Sequence, residues 1–474
     1  MALREMVRQA RMTQTVPADV GCEITTCSKY KLIGLGPLKE SGSDVGGVMR
    51  KSGLISTAVA VLGATSVLAM SSAANAAEGL LSVADQRGIH VLDRERPEFD
   101  AVGVRAGSFM VYPEVSLGLS YDDNVFGTPT ATDESLIYGV RPSVSIESDF
   151  GRHALNFNAY TDTNFYEAES SEDRTEWGAA VDGVVEVSPL TQIQALVSYD
   201  QLVEDRTSTN RVAGGSEPTE YSAFNAAAYL NQRFNRMTAS VGAVYIDMDY
   251  EDTPAIGGGI LDQDFRDHEK WEVPVRLSYD VSADTSVFVR GTYNIREYDQ
   301  QPPVVAVTRD SDGYDVGVGA AFDFTNLLRG EAWVGYMSQE YDQVGFPGID
   351  GIDFGLAAEW YASELTTVTA GVDRSIEDSA SAGSSGHLDT NFSLGIAHEL
   401  QRNIILTADA SYLDVEFEGI TRTDETISAG VGAQYLLNRN AEIALNYDYV
   451  TRDSTLTGQD YDKGVVGLQL KLKL

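Results

Sequence analysis

The 474-residue chain carries 34 Lys and Arg against 71 Asp and Glu, a formal net charge of −37, with 43% hydrophobic residues. An excess of acid on this scale repels a phosphate backbone and excludes nucleic acid as a partner. The length admits two or three ordinary domains or a single large β-barrel.

Residues 1–48 show no pattern of their own and read as a mis-called start or a disordered extension. They contain both cysteines, Cys22 and Cys27, whose C-x4-C spacing has no second pair and so points to neither a zinc site nor a redox site. Residues 49–76 read as a secretory signal peptide. Met49-Arg50-Lys51 is the basic start, Leu54 to Ala69 the apolar stretch, and Ala74-Asn75-Ala76 the small-residue cleavage site, with cleavage after Ala76. The apolar stretch is shorter than the roughly 20 residues a spanning helix needs, which favours export over anchoring. Residues 77–107 then form a periplasmic N-terminal segment, either a tail or a short inward-folded piece.

From residue 108 to Leu474 one periodicity dominates. Segments of about ten residues alternate apolar and polar, and helical spacing is missing. Trp271-Val273-Val275-Leu277-Tyr279 alternates with Glu272-Pro274-Arg276-Ser278-Asp280. Val287, Val289, Gly291, Tyr293 and Ile295 are set against Phe288, Arg290, Thr292, Asn294 and Arg296. Short links such as 188–191, 234–236 and 437–440 take turns with long polar ones such as 201–220, 248–267 and 297–312. That parity is the layout of an outer-membrane barrel with tight periplasmic turns and extended surface loops. The expected fold is therefore all-β, a transmembrane antiparallel up-and-down barrel of about 18 strands with both termini in the periplasm. A Lys or Arg facing lipid near the midplane costs about 2–4 kcal/mol, so charge belongs on the inner phase of each strand. Tyr121, Tyr199, Tyr245, Trp271 and Tyr412 recur at segment ends, where aromatic girdles would sit.

Several stretches resemble an outer-membrane β-barrel family, the porins of the second type. They are Arg96-Pro97-Glu98-Phe99-Asp100, Gly103 to Phe109, Tyr112-Pro113, Tyr121-Asp122-Asp123-Asn124-Val125-Phe126, Asp149 to Leu155 and Leu328 to Tyr336. The resemblance implies a membrane barrel without naming a solute, and it makes an association with surface polysaccharide a second reading. The chain departs from the family at Arg94-Glu95-Arg96-Pro97, where proline more often stands on both sides of the second arginine.

A barrel of this size leaves an aqueous channel unless loops fold in, so passive diffusion of small hydrophilic solutes is the expected function. The candidate lumen-lining residues are Asn156, Asn158, Asp182, Glu186, Glu272, Arg276, Arg290, Arg296, Asp373 and Lys471. Opposed acidic and basic groups there would set a transverse field. The five histidines form no catalytic set, and His268, between Asp267 and Glu269, reads as a solvated loop residue, so neither an enzyme nor a cofactor is expected. Asp247 to Asp252 lacks the glycine and distal glutamate of a calcium loop, so no metal site is expected either. A large plug domain is excluded by the short stretch before the first strand. The expected partners are outer-membrane lipid, lipopolysaccharide, the barrel-assembly machinery and, on the second reading, a surface polysaccharide. The closing Gly464 to Leu474 alternates Val466, Leu468, Leu470, Leu472 and Leu474 toward lipid with Gln469, Lys471 and Lys473 toward the lumen. It resembles the strand that the assembly machinery recognises, except that Leu474 replaces the usual terminal aromatic.

Overall fold

The computed structural model describes residues 89–300, 307–324 and 327–474. The expected extension, signal peptide and cleavage site at Ala76 lie outside these residues. Eighteen long strands follow one another. They are β1 Phe109–Asp122, β2 Ser135–Ser148, β3 Ala154–Tyr166, β4 Arg174–Ser188, β5 Thr191–Val203 and β6 Glu220–Phe234. β7 Met237–Tyr250, β8 His268–Asp280, β9 Thr285–Tyr298, β10 Ser311–Phe324, β11 Leu328–Tyr341 and β12 Ile349–Ser363 come next. β13 Thr366–Asp378, β14 Gly386–Gln401, β15 Ile404–Phe417, β16 Thr423–Asn438, β17 Ala441–Ser454 and β18 Tyr461–Lys473 complete the ring.

Each strand pairs antiparallel with its neighbours in sequence. The ring closes because β1 pairs with both β2, from Phe109↔Ser148 to Asp122↔Ser135, and β18, from Glu114↔Lys473 to Asp122↔Val465. No strand edge is left over, as a hydrocarbon environment requires. A three-residue strand, Val104–Ala106, folds back on Phe109–Val111 around Gly107, whose φ of +65° suits glycine. The same end of the barrel holds the C-terminus, where the Gly103 N–H donates to the Leu474 carbonyl at 3.1 Å.

Burial is the reverse of a soluble protein's. On β1 the apolar Val115, Leu117, Leu119 and Tyr121 are exposed, and Ser116, Ser120 and Asp122 are buried. On β18 Val466, Leu468 and Leu472 are exposed while Lys463 and Lys471 are buried. An apolar band of this extent on the outside is covered only by lipid. Aromatic pairs cross strands on the outer face, with ring centroids 4.6 Å apart for Tyr245 and Trp271 and 5.5 Å for Trp177 and Tyr199.

The strands are longer than the ten-residue apolar segments, running from 13 residues in β3 to 16 in β14. Crossing the hydrocarbon takes about 9–11 tilted residues, so the remainder forms a polar collar above the lipid. Polarity therefore does not end a strand here, and His268 shows the consequence. It opens β8 instead of lying in a solvated loop. It is buried against Tyr298, with ring centroids 5.0 Å apart, and its Nδ1 lies 2.7 Å from the Arg266 carbonyl.

On the outer face of the closing strand Leu470 is flanked by Leu117 of β1 and Ile443 of β17. Leu470→Arg would place a cation on lipid at about 2–4 kcal/mol. We expect a clear loss of the heat-modifiable, folded form in outer-membrane fractions on denaturing gels, and an unchanged level would contradict the assignment of faces.

Candidate functional site: the lumen and its two ends

The inner face of β10 explains how the lumen wall is built. Its inward positions include Gly313, Gly317 and Gly319, so side chains from β9 and β11 lie flat across it. A Cβ on Gly319 would fall 2.4 Å from the Phe288 ring, and one on Gly313 would collide with Gln339. Over this bare strip Arg276 of β8 reaches Glu331 of β11, Nη2 to Oε2 2.9 Å, and stacks on Phe288 at 3.7 Å from the ring centroid. Arg290 of β9 pairs with Asp315 at 3.1 Å and stacks on Trp333 at 4.7 Å. Trp333 in turn lies over Gly355 of β12 and donates from Nε1 to Asp353 Oδ1 at 3.2 Å. Arg296 crosses from β9 to Asp378 at the end of β13, 2.6 Å away, and donates to the Ile376 carbonyl at 2.8 Å. Arg276 and Arg290 are direct cross-strand neighbours. Two like charges side by side are tolerated because each has its own carboxylate.

Five of the ten candidate lumen residues, Glu272, Arg276, Arg290, Arg296 and Asp373, line one pocket of about 180 Å³ in this wall. The other five lie elsewhere on the ring. Asn156 of β3 donates to Asp182 of β4 at 2.9 Å, and Asn158 is half-buried opposite Ala180 and Ser145. Glu186 stands near the short turn after β4, where its N–H donates to His153 Nδ1 at 3.2 Å. Lys471 of β18 bridges Glu114 at 3.3 Å and Glu442 at 3.6 Å.

Both ends of the lumen are narrowed by chain that folds inward. At the long-loop end the segment 204–219 turns in from β5 and β6. Arg422 donates to the Thr209 carbonyl at 3.2 Å, Arg452 donates to Thr209 Oγ1 at 2.9 Å, and the Ala380 N–H donates to Asn210 Oδ1. These partners belong to β17 and the links beside β14 and β16, nearly half the circumference away. At its root Arg206 forks onto Glu172, 2.6 and 2.9 Å, and Arg266 forks onto Glu204, 2.7 and 3.0 Å. Bidentate pairs of this kind fix orientation as well as distance.

At the short-turn end residues 89–100 form the inward-folded piece rather than a tail. Val91 is fully buried against Ala397, Ile405 and Leu436, with Leu92 and Phe99 beside it, and its N–H donates to Thr367 Oγ1 at 3.2 Å. Arg96 is the anchor, donating to the Val91 carbonyl at 2.8 Å and to Glu399 Oε2 at 3.0 Å. Arg439 holds the Pro97 carbonyl at 2.7 Å.

The family model described as "Putative beta-barrel porin 2" matches residues 96–474. The chain belongs to this family. It is accordingly an integral β-barrel of the outer membrane. No curated protein matches the chain. Among solved structures the chain is similar to Pseudomonas aeruginosa OpdQ at 11% identity, over 80% of this chain and 100% of that one, with a TM-score of 0.42. It is similar to OpdK of the same organism, solved with vanillate, at 10% identity over 77% and 99%, TM-score 0.39. The copper transporter OprC follows at 9% identity over 78% and 81%, TM-score 0.45. Superpositions this loose leave the architecture to rest on the strand pairings themselves.

Sequence reasoning missed Asp353, Trp333, Glu399 and the Thr209 contacts. The glycines at inward positions of β10 were a usable signal for a flattened wall. The Arg96–Glu399 pair spans 303 positions and left no local trace. In the long loop before β8, the acidic stretch 247–252 contributes only Asp252 to a group of three exposed carboxylates with Asp262 and Asp264.

Breaking the Arg96–Glu399 pair leaves a buried guanidinium without its carboxylate, a change that costs about 3–5 kcal/mol in comparable sites. Glu399→Gln should therefore release residues 89–100 and make the Arg94–Glu95 bond at least several-fold more sensitive to trypsin in folded protein, and unchanged cleavage would contradict the anchor. At the other end, burial and then the neighbouring Asp249, Asp264 and Asp299 push the Asp267 carboxyl up to about 7, while its hydrogen bond from the Tyr250 N–H acts the other way. Its unfolded value is near 4. Between these values the folded loop holds a proton that the unfolded loop does not, so loop stability falls as pH rises from about 4 to about 7 and levels off above. Limited proteolysis within 251–267 should be faster at pH 8 than at pH 5, and Asp267→Asn should flatten that difference.

Proposed function

We propose that the protein is a passive channel for small hydrophilic solutes, with both termini and all short turns on the periplasmic side. One observation carries the reading. The closed ring presents aliphatic side chains outward and ion-paired charges inward, and an eighteen-strand ring is wider than its own side chains fill. Solutes would pass along the charged wall of β8 to β13, where cations and carboxylates face one another and set a transverse field. The inward segments 204–219 and 89–100 reduce the aperture at the two ends and would set the size limit. An even number of strands, with short turns at the end holding both the N-terminal piece and Leu474, supports the periplasmic assignment.

Nothing in this reading calls for catalysis. The polysaccharide reading draws no specific support from the long loops, where Glu172 and Glu204 are taken up by Arg206 and Arg266 and Asp252, Asp262 and Asp264 stand exposed. On the proposed reading the alternating final strand is the one that the barrel-assembly machinery recognises, and the acidic outer loops face lipopolysaccharide.

Planar-bilayer recordings test the proposal. Purified protein should give stable open steps, and replacing residues 206–211 with a short Gly-Ser linker should raise the conductance of each step. A barrel that inserts but stays electrically silent in both forms would overturn the channel reading.

A further inference from the structure

The inward loop crosses the lumen on arginines, and those arginines are unevenly provided with carboxylates. Arg206, Arg266 and Arg422 each hold one, respectively Glu172, Glu204 and Asp424. Arg211, Arg309 and Arg452 pair with none among the described residues. Arg309, in the link before β10, donates from Nη2 to the Ser381 carbonyl at 3.2 Å and lies over the Phe346 ring. Arg452 of β17 reaches two hydroxyls, Thr426 Oγ1 at 3.2 Å and Thr209 Oγ1 at 2.9 Å, and lies over Tyr461. Both arginines are 6% exposed. Arg211, in the loop itself, is half-buried and makes no side-chain hydrogen bond among the described residues. Arg422 brings the group together, because it donates to Ser381 Oγ beside Arg309 and to the Thr209 carbonyl beside Arg452, each at 3.2 Å. Asp378, shortly before Ser381, is held by Arg296, on which Glu377 also acts. A buried guanidinium without a carboxylate is costly, and three at one crossing in a chain of net charge −37 are a local reversal of sign. Burial and then Arg206 pull the Arg211 guanidinium below the ordinary arginine range, Arg452 acting the same way and Glu204 and Glu172 opposing.

We propose that this crossing is an oxyanion site, which holds the phosphate group of a small solute in transit on Arg211 and Arg452, with Arg309 adding charge behind them. The donors are within reach of water. The Nη1 of Arg452 and the whole guanidinium of Arg211 make no hydrogen bond, yet they are not among the side-chain atoms closed off from solvent. Guanidinium N–H groups match the oxygens of phosphate in both charge and spacing. More than one uncommitted guanidinium suits a doubly charged oxyanion better than a singly charged carboxylate, and an organic cation would be repelled. The contacts at Thr209 and Ser381 fix the loop before the solute arrives, so little ordering remains to be done on binding. The inference rests on the channel reading for its role in transport, but the site can be tested without conduction.

Inorganic phosphate at pH 8 is the probe, titrated against a chloride background so that general screening is already present, with sodium acetate as the singly charged counterpart. Isothermal titration into the folded barrel in detergent should show saturable binding of phosphate, at least several-fold tighter than that of acetate. Single-channel recordings should show concentration-dependent reduction of the chloride current by phosphate. Arg211→Gln removes a charge that anchors nothing in the fold, and it should weaken both effects about ten-fold or more. Arg452→Gln is a second variant and should weaken them in the same direction. Arg236→Gln, exposed in a short turn at the other end of the barrel, removes the same charge and should change neither. Heat-modifiable mobility confirms that each variant is folded. Saturable phosphate binding in detergent without open channels would support the site and overturn conduction alone. Open channels with no phosphate binding, equal affinity for acetate, or phosphate binding unaffected by Arg211→Gln would overturn the site.

Discussion

Everything in this structure depends on one constraint, that a backbone crossing hydrocarbon has no water to satisfy its N–H and C=O groups. The chain meets it by pairing every long strand on both sides, and β1 meeting β18 is the last and deciding pairing. Once the ring is closed, the pleat assigns every alternate side chain to lipid and the rest to the lumen. A shift of one residue would exchange the two sets. Register is therefore defended all round by the cost of placing an arginine where a valine stands, and the β18 sequence, alternating aliphatic side chains with Gln and Lys, is a plain instance.

The interior has the opposite problem. Charges excluded from the outside accumulate inside, where partial burial makes each one costly unless it is paired. The solution is a set of crossings in which long basic side chains lie over glycine-bare strands to carboxylates several strands away, as Arg276 does to Glu331 and Arg296 to Asp378. The same device closes the ends. Arg96 on Glu399 holds the N-terminal piece in the short-turn end, and Arg206 and Arg266 hold the root of the inward loop. Ion pairs in this protein act chiefly as positional devices, keeping one wall and two constrictions in fixed relation.

The strands and their faces were legible in the sequence because a period of two is imposed on every strand by the lipid. The strand ends were less so. Above the membrane the pleat continues while the chemical contrast fades, and so His268 read as loop. The inward assignment of Arg276, Arg290 and Arg296 was accessible from phase alone, but their partners depend on which strands the curved wall brings together. The Arg96 motif was recognisable as a family stretch, whereas its target, Glu399, could be found only once the ring had closed. The loop crossing at Thr209 was hidden for the same reason, since a polar loop looks alike whether it points outward or in.

The central claim is the division of each strand into a lipid phase and a water phase. With the chain's two cysteines, Cys22 and Cys27, replaced by Ser, single cysteines introduced in the barrel report without internal competition. On β9, Thr292→Cys faces the lumen and Val289→Cys faces lipid. In intact outer membranes a charged, water-soluble methanethiosulfonate should modify the cysteine at 292 and spare that at 289, while an apolar maleimide should reach 289. Reaction of the charged reagent at 289 but not at 292, or equally at both, would contradict the account.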